Sequence, residues 1–305
     1  MKRILFFIVT NIAILLVLSI FLSLTGFTGI LQSNGVDLDY DSLMLFSLVF
    51  GMGGSFISLY LSKWMAKKMA GVQVIKNPSN DFEKWYLQVV EKQSNKLNIK
   101  IPEIGIFQSA GPNAFATGSS KNNSLIAISS GLISNMSRNE VEAVIGHEMS
   151  HVANGDMVTL ALIQGIINAF VIFFSRVIGH FVDRVILKNE RGYGIGYFFT
   201  VIFAQVVLGI LASTIVMWYS RQREYRADYG GAMLTSKEDM IASLRALEKS
   251  TAAKLPDQML AFGISNKGQK SFAQKYFSSH PPLAERIERL QQTDFTSNLD
   301  QHSAS

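Results

Sequence analysis

Cysteine is absent from all 305 residues. That excludes disulfides and thiolate metal sites and leaves the redox compartment open. Any metal must be held by histidine and carboxylate. Charge is also scarce. Asp, Glu, Lys and Arg make up 17% of the chain, where a soluble domain carries about a quarter. With a positive mean hydropathy of +0.22, this points to membrane segments. The net charge of +5 is scattered and sits partly beside apolar runs. No basic stretch is interleaved with aromatics, so no nucleic acid is expected as a partner, and the cations read as topology signals. No internal repeat is apparent.

Four long apolar stretches are present, at about residues 4–24, 43–61, 157–175 and 198–218. Each is near the ~20 residues that carry a helix across a bilayer. The first is too long for the core of a signal peptide and ends without a clean small-x-small cleavage site. Lys2 and Arg3 precede it, Asp37, Asp39 and Asp41 occupy the next loop, and Lys63, Lys67 and Lys68 follow the second stretch. An excess of cations marks the cytoplasmic side, so the N-terminus and the chain beyond Lys63 are expected there. The third and fourth stretches are joined by a loop with Arg176, Arg184, Lys188 and Arg191. Such a loop is poorly suited to export, so a spanning hairpin, a shallow interfacial one and a buried core hairpin all stay open. No charged residue lies mid-stretch, which argues against a transporter.

Soluble-looking sequence lies between the second and third stretches and again after the fourth. The apolar spacing predicts a helix over 81–96. Residues 104–107 and 125–129 read as short strands, with turn residues Gly111-Pro112-Asn113 between them. The piece from about 220 to 292 reads as mostly helical, and the polar last dozen residues as frayed.

Chemistry concentrates in one helix. Ser137 and Glu140 form a capping-box pattern, and Gly155 is a plausible stop. Between them stands His147-Glu148-x-x-His151. Positions i and i+4 share a helical face, so both imidazoles can reach one ion, and Glu148 sits where it can polarise a water. A catalytic zinc takes three protein ligands and keeps one position open. No third histidine follows at an extended-motif spacing, so a distant carboxylate is expected. The best candidate is Glu224, in Arg221-Gln-Arg-Glu-Tyr-Arg-Ala-Asp228. Asp228, one turn on, is placed to accept from the second nitrogen of a ligating histidine. The same segment reads equally well as a charged juxtamembrane helix with ordinary i,i+4 pairs. Two apolar stretches separate His151 from Glu224, which returns both to one side of a membrane. Met157 lies about 9 Å along a helix from His151, so the site is expected close to the membrane surface.

Four segments together resemble a known family: His147-Glu-Met-Ser-His-Val-Ala-Asn-Gly-Asp156, Glu224-Tyr-Arg-Ala-Asp228, Pro112-Asn-Ala-Phe-Ala116 and Ser279-His-Pro-Pro282. In this order, with the apolar stretches between them, they resemble the HtpX-type bacterial membrane metalloproteases, relatives of the CAAX prenyl proteases. The likeness runs to about Leu290. It implies that His147, His151 and Glu224 bind one zinc and that Glu148 is the general base. It implies that Asn113, Ala114, Phe115 and Ala116 form an edge strand for an extended substrate. Main-chain pairing of that kind gives affinity without strict side-chain preference. It also implies that His280 approaches the site as a second catalytic group aiding the transition state. His180 and His302 match nothing. The family's association with quality control of the bacterial inner membrane under stress is likewise an implication.

The expected architecture is a mainly α membrane protein. About four hydrophobic helices accompany a cytoplasmic α+β, gluzincin-like zinc protease domain built from two soluble segments. The division runs 1–64 (two transmembrane helices), 65–156 (first protease segment), 157–219 (membrane hairpin), 220–292 (second protease segment) and 293–305 (polar tail). The expected partners are protein or peptide substrates and the lipid bilayer. Two other functions stay in play. A non-proteolytic structural zinc site would be closed by four protein ligands, and only three candidates are found. An exopeptidase or prenyl-peptide protease would need a pocket for a free terminus or an isoprenoid.

Overall fold

The computed structural model describes residues 39–189, 192–252 and 280–295. The first apolar stretch, Ser279, His302 and most of the polar tail lie outside the described residues. The chain forms two compact units. One joins the described residues up to Ser58 with Leu160–Val216, and the other joins Leu59–Thr159 with the described residues from Met217 on.

Three helices in the described residues are long and apolar enough to cross a membrane. They are α1 (Tyr40–Met69), α5 (Asp156–Phe181, continued by a π-helical turn over Val182–Ile186) and α6 (Ile195–Leu234). In the apolar windows of α5 and α6 only 11% of residues are buried. Phe198, Phe199, Ile202, Phe203, Ile210 and Leu211 all face outward. A helix apolar on its exposed faces needs lipid or another apolar partner around it. Within this unit, small residues let α1 and α5 approach closely. A Cβ on Gly51 would stand 2.4 Å from the backbone nitrogen of Ala169, the close approach that small residues permit between membrane helices. Phe173 and Val177 pack beside it with Leu43 and Met44. The basic turn of the hairpin is built around a buried acid. Asp183 accepts hydrogen bonds from Gly194 N (3.1 Å) and Asn189 Nδ2 (3.0 Å), and the His180 ring packs edge-on against Tyr193 and Tyr197.

The second unit holds a four-stranded sheet in the order β1-β2-β4-β3: β1 (Gln73–Val74), β2 (Glu103–Phe107), β3 (Ala114–Ser120) and β4 (Asn123–Ser129). β3 and β4 form an antiparallel hairpin. β4 then pairs in parallel with β2, and β1 runs antiparallel to β2. β4 is therefore central and, from Ser124 on, buried, whereas β3 is an edge. Lys63 and Lys67, in the last turns of α1, both pair with Glu103 of β2 at 2.7 and 2.5 Å.

Helix α2 (Asp81–Leu97) starts at Asn80, whose side chain accepts from Glu83 N, and stops at Asn98 in the left-handed region. It buries Tyr86, Val89 and Val90 against Ile126 and Ile128 of the sheet and against Val144, Ile145 and Met149. The Tyr86 hydroxyl, cut off from water, donates to Ile126 O at 3.1 Å. Burying each such aliphatic side chain contributes about 1.5–3 kcal/mol. A short helix, α3 (Ser130–Asn135), leads into α4 (Arg138–Asn154). The predicted capping box is present at the start of α4. Its expected stop is Gly155 at φ 66°, a conformation that disfavours a side chain. Finally α7 (Lys237–Ala252) and α8 (Leu283–Gln292) close a third cluster, in which Ile287 and Leu290 meet Ala143, Met240 and Leu244.

Candidate metal centre

Helix α4 presents His147 and His151 one turn apart, both 7% exposed, and α6 presents Glu224, fully buried. One ligand atom from each of the three lies within 4.8 Å of the others. The two Nε2 atoms stand 3.1 Å apart. Glu224 Oε2 is 3.5 Å from His147 Nε2, and Oε1 is 3.4 Å from His151 Nε2. A tetrahedral ion with bonds near 2.05 Å separates its ligand atoms by about 3.3 Å, and each of these three distances is close to that. Both Glu224 oxygens are buried without a hydrogen-bond partner of acceptable geometry. A buried carboxylate in that condition calls for a cation. The donor set of two imidazoles and one carboxylate, with no thiolate, suits zinc.

The outer nitrogens of both rings are held. His147 Nδ1 meets Asp228 Oδ1 at 2.9 Å, and His151 Nδ1 meets Asp156 Oδ2 at 2.7 Å. Each carboxylate accepts a hydrogen bond from the Nδ1–H of its ring and turns Nε2 toward the centre. Burial alone depresses the basicity of both rings. Asp228 and Glu224 more than offset this at His147, pushing it up to about 9, and Asp156 with Glu224 raises His151. Metal loading must therefore displace a proton. Arg286, on α8, is buried as well. It donates to Asp228 twice, Nε to Oδ2 at 2.7 Å and Nη2 to Oδ1 at 2.5 Å. Burial opposes its charge, but Asp228 outweighs that and keeps the guanidinium ionised.

The other expected residues fall around this centre. Glu148 is half-buried, and its charge is felt at His151 and Arg286. His280 reaches the site, with Nδ1 2.8 Å from Glu224 Oε2 and most of its side chain exposed. Asn113 precedes β3, where its N–H donates to Ser129 Oγ at 2.9 Å. Ala114, Phe115 and Ala116 lie on β3, at the sheet edge, and α4 packs beside that strand.

Two partners escaped the sequence reading. Asp156 stood in the quoted motif without a derived role, and Arg286 was not singled out at all. A third feature was also missed, a pair of glycines on α6. A Cβ on Gly230 would lie 2.8 Å from Ser150 Cβ, and one on Gly231 would lie 3.0 Å from His147 N. Their bare backbone lets α6 approach α4 closely enough for Glu224 to meet the histidines.

Comparison with known proteins agrees with this geometry. Residues 81–294 match Peptidase family M48. The chain is 57% identical to the protein named Protease HtpX of Thioalkalivibrio sulfidiphilus, covering 95% of this chain and 98% of that one. It is 55% identical to the Protease HtpX of Pseudoalteromonas atlantica, covering 95% and 99%. The crystal structure of S. mikatae Ste24p shares the fold, with a TM-score of 0.53 at 17% identity, over 87% of this chain and 66% of that longer one. The expected metalloprotease with a zinc cofactor and membrane helices is thus met, and this chain belongs to peptidase family M48.

Proposed function

We propose that this protein is an endopeptidase of the bacterial inner membrane whose centre, formed by His147, His151 and Glu224, faces the cytoplasm and cuts extended segments of membrane or misfolded proteins. The observation that carries the reading is the convergence of two imidazole nitrogens 3.1 Å apart with a buried carboxylate, one oxygen 3.5 Å from the first nitrogen and the other 3.4 Å from the second. Zinc, when bound there, supplies a Lewis acid that acidifies water and polarises a carbonyl.

The protein's own groups do the rest. Asp228 and Asp156 fix the two rings, so their Nε2 atoms stay aimed at the centre, where zinc would take the place of the proton. Glu148 takes the proton of the attacking water and returns it to the leaving amine. His280 stands beside Glu224 as a donor toward charge developing on the carbonyl oxygen. The outer edge of β3, unpaired among the described residues, offers backbone N–H and C=O groups to an extended chain and so selects for strand conformation rather than for a side chain. That suits a protease whose substrates are recognised because they are unfolded, as in quality control under stress. The first apolar stretch acts with the three described helices as a fourth span, and the cations after the second stretch hold the soluble segments in the cytoplasm.

The test is purification in detergent under chelator, followed by zinc analysis and casein-type cleavage after zinc is added back. Wild type is expected to gain one zinc and cleavage, Glu224→Ala to lose both, and Glu148→Gln to keep zinc and lose cleavage. Glu224→Ala with its zinc intact would place the third ligand elsewhere. Because the chain has no cysteine, orientation is checked with one cysteine introduced at exposed Lys121. Labelling in right-side-out vesicles rather than inverted ones would reverse the topology.

A further inference from the structure

Arg286 lies 139 positions from His147 in the chain, yet its Nη2 stands 3.4 Å from the ring's Nδ1. It is 6% exposed. Its nearest partner is Asp228, which it grips with two hydrogen bonds, and Nη1 stands 3.7 Å from Glu224 Oε2. Asp228 Oδ1 thus serves His147 and Arg286 together. A carboxylate on a single-bonded stem can rotate; a planar guanidinium bound to both of its oxygens holds it in one orientation. The ring of His147 is fixed in turn, because Nδ1 points only where Oδ1 is.

Helix α8 is short, and its place is set by other contacts. Ile287 and Leu290 seat it on α7 and α4, the Tyr225 hydroxyl donates to Glu285, and Arg289 lies 4.1 Å over the Tyr225 ring. These contacts seat α8 in addition to those of Arg286. A buried arginine is a costly way to fill that position, and an apolar residue there would dock α8 at lower cost. Its geometry is explained by what it orients.

We propose that Arg286 is a positioning residue for the zinc centre: through Asp228 it sets the ring of His147, so that zinc loading and the docking of α8 are one linked equilibrium. The proposal rests on the assignment of His147, His151 and Glu224 as ligands. By linkage, whatever α8 contributes to zinc affinity, zinc returns to the docking of α8. Groups that orient a ligating histidine typically govern 10–100-fold of metal affinity.

The experiment uses the full chain in detergent and two readouts besides cleavage. One is the zinc dissociation constant by competition with a chromogenic chelator. The other is amide exchange across residues 283–292 with and without zinc. Arg286→Met is expected to weaken zinc about 10–100-fold, and Arg286→Lys, which cannot grip both oxygens, to recover only part of it. Asp228→Asn is expected to weaken zinc similarly, and the double variant to be little worse than either single one, because both act along one path. In wild type, removing zinc is expected to speed exchange in α8. Arg289→Ala, which loosens α8 without touching Asp228 but leaves it docked in nearly all molecules, is expected to leave zinc affinity within about threefold of wild type. Additive effects of Arg286→Met and Asp228→Asn, or wild-type zinc affinity in Arg286→Met, would overturn the proposal. Should Arg286→Met fail to fold, the comparison of Arg286→Lys with Arg289→Ala decides it: equal losses mean that Arg286 only anchors the helix. Glu224→Ala in the same assay separates the two layers, since zinc retained there would mean the ligand assignment itself has failed.

Discussion

Replacing Gly230 with alanine sets two effects of opposite sign against each other. In a helix interior alanine is favoured over glycine by about 1 kcal/mol, so on propensity alone Gly230→Ala stabilises α6. The structure places the new methyl 2.8 Å from Ser150 Cβ and 2.2 Å from Ser150 Oγ. The hydroxyl can rotate away; the Cβ is fixed to the α4 backbone. Carbon atoms rest about 3.5–4.0 Å apart, so the helices must separate locally by roughly 0.7–1.2 Å. Overpacking of this kind costs about 1–3 kcal/mol, which outweighs the propensity gain. The larger consequence is at the metal, because Ser150 immediately precedes His151. A site tolerates about 0.2 Å of error in ligand distance, several times less than this displacement. Gly230→Ala is therefore expected to lose zinc at least tenfold and cleavage about 100-fold, with a modest fall in Tm. The assay is zinc competition alongside casein-type cleavage, and Ser150→Gly is the second-site rescue, since it removes the atom being struck. A Gly230→Ala protein that is more stable and keeps its zinc affinity would refute the argument.

Asp156→Asn, which removes the carboxylate charge that faces His151 Nδ1, is expected to weaken zinc about 10–100-fold while leaving the fold intact, as read by chelator competition and circular dichroism. Ser137→Ala breaks the capping box of α4 and is expected to cost about 1 kcal/mol, seen as a lower denaturation midpoint with unchanged zinc stoichiometry. At a zinc concentration of about 100 times Kd, the metal is expected to add roughly 2.7 kcal/mol of stability; identical melting of stripped and loaded protein would mean no specific binding.

What the sequence disclosed and what it hid differ by range. The α4 helix was legible end to end, because Ser137, Glu140 and Gly155 act on backbone within a turn of themselves. Glu224 and Asp228 were legible as a pair on one helical face, and the strands at β2 and β4 as short apolar runs. Asp156 was hidden by its turn. It follows a glycine at φ 66° that ends one helix where the next begins, and a spacing of five carries no sign that its carboxylate folds back onto His151. Arg286 was hidden by distance, since on its own helix it is one charge among several. The glycine pair was hidden because glycine inside a helical pattern signals a break unless a second backbone is known to lie against it. The first apolar stretch stays outside the described residues, so the count of four helices rests on sequence.

The ion pairs of Lys63 and Lys67 with Glu103 have a consequence for the order of events during synthesis. The carboxylate lies 40 positions after Lys63. At about 5–20 residues per second, roughly 2–8 s pass before the ribosome makes it. During that interval two ammonium groups stand unmatched at the end of an apolar helix that is just then being placed. Once β2 pairs, the same two charges are joined to the sheet. Under the proposed topology one pair of lysines thus acts first on an unfolded chain and later within a folded one, and Glu103→Gln is a change that would separate the two roles, leaving the early one untouched.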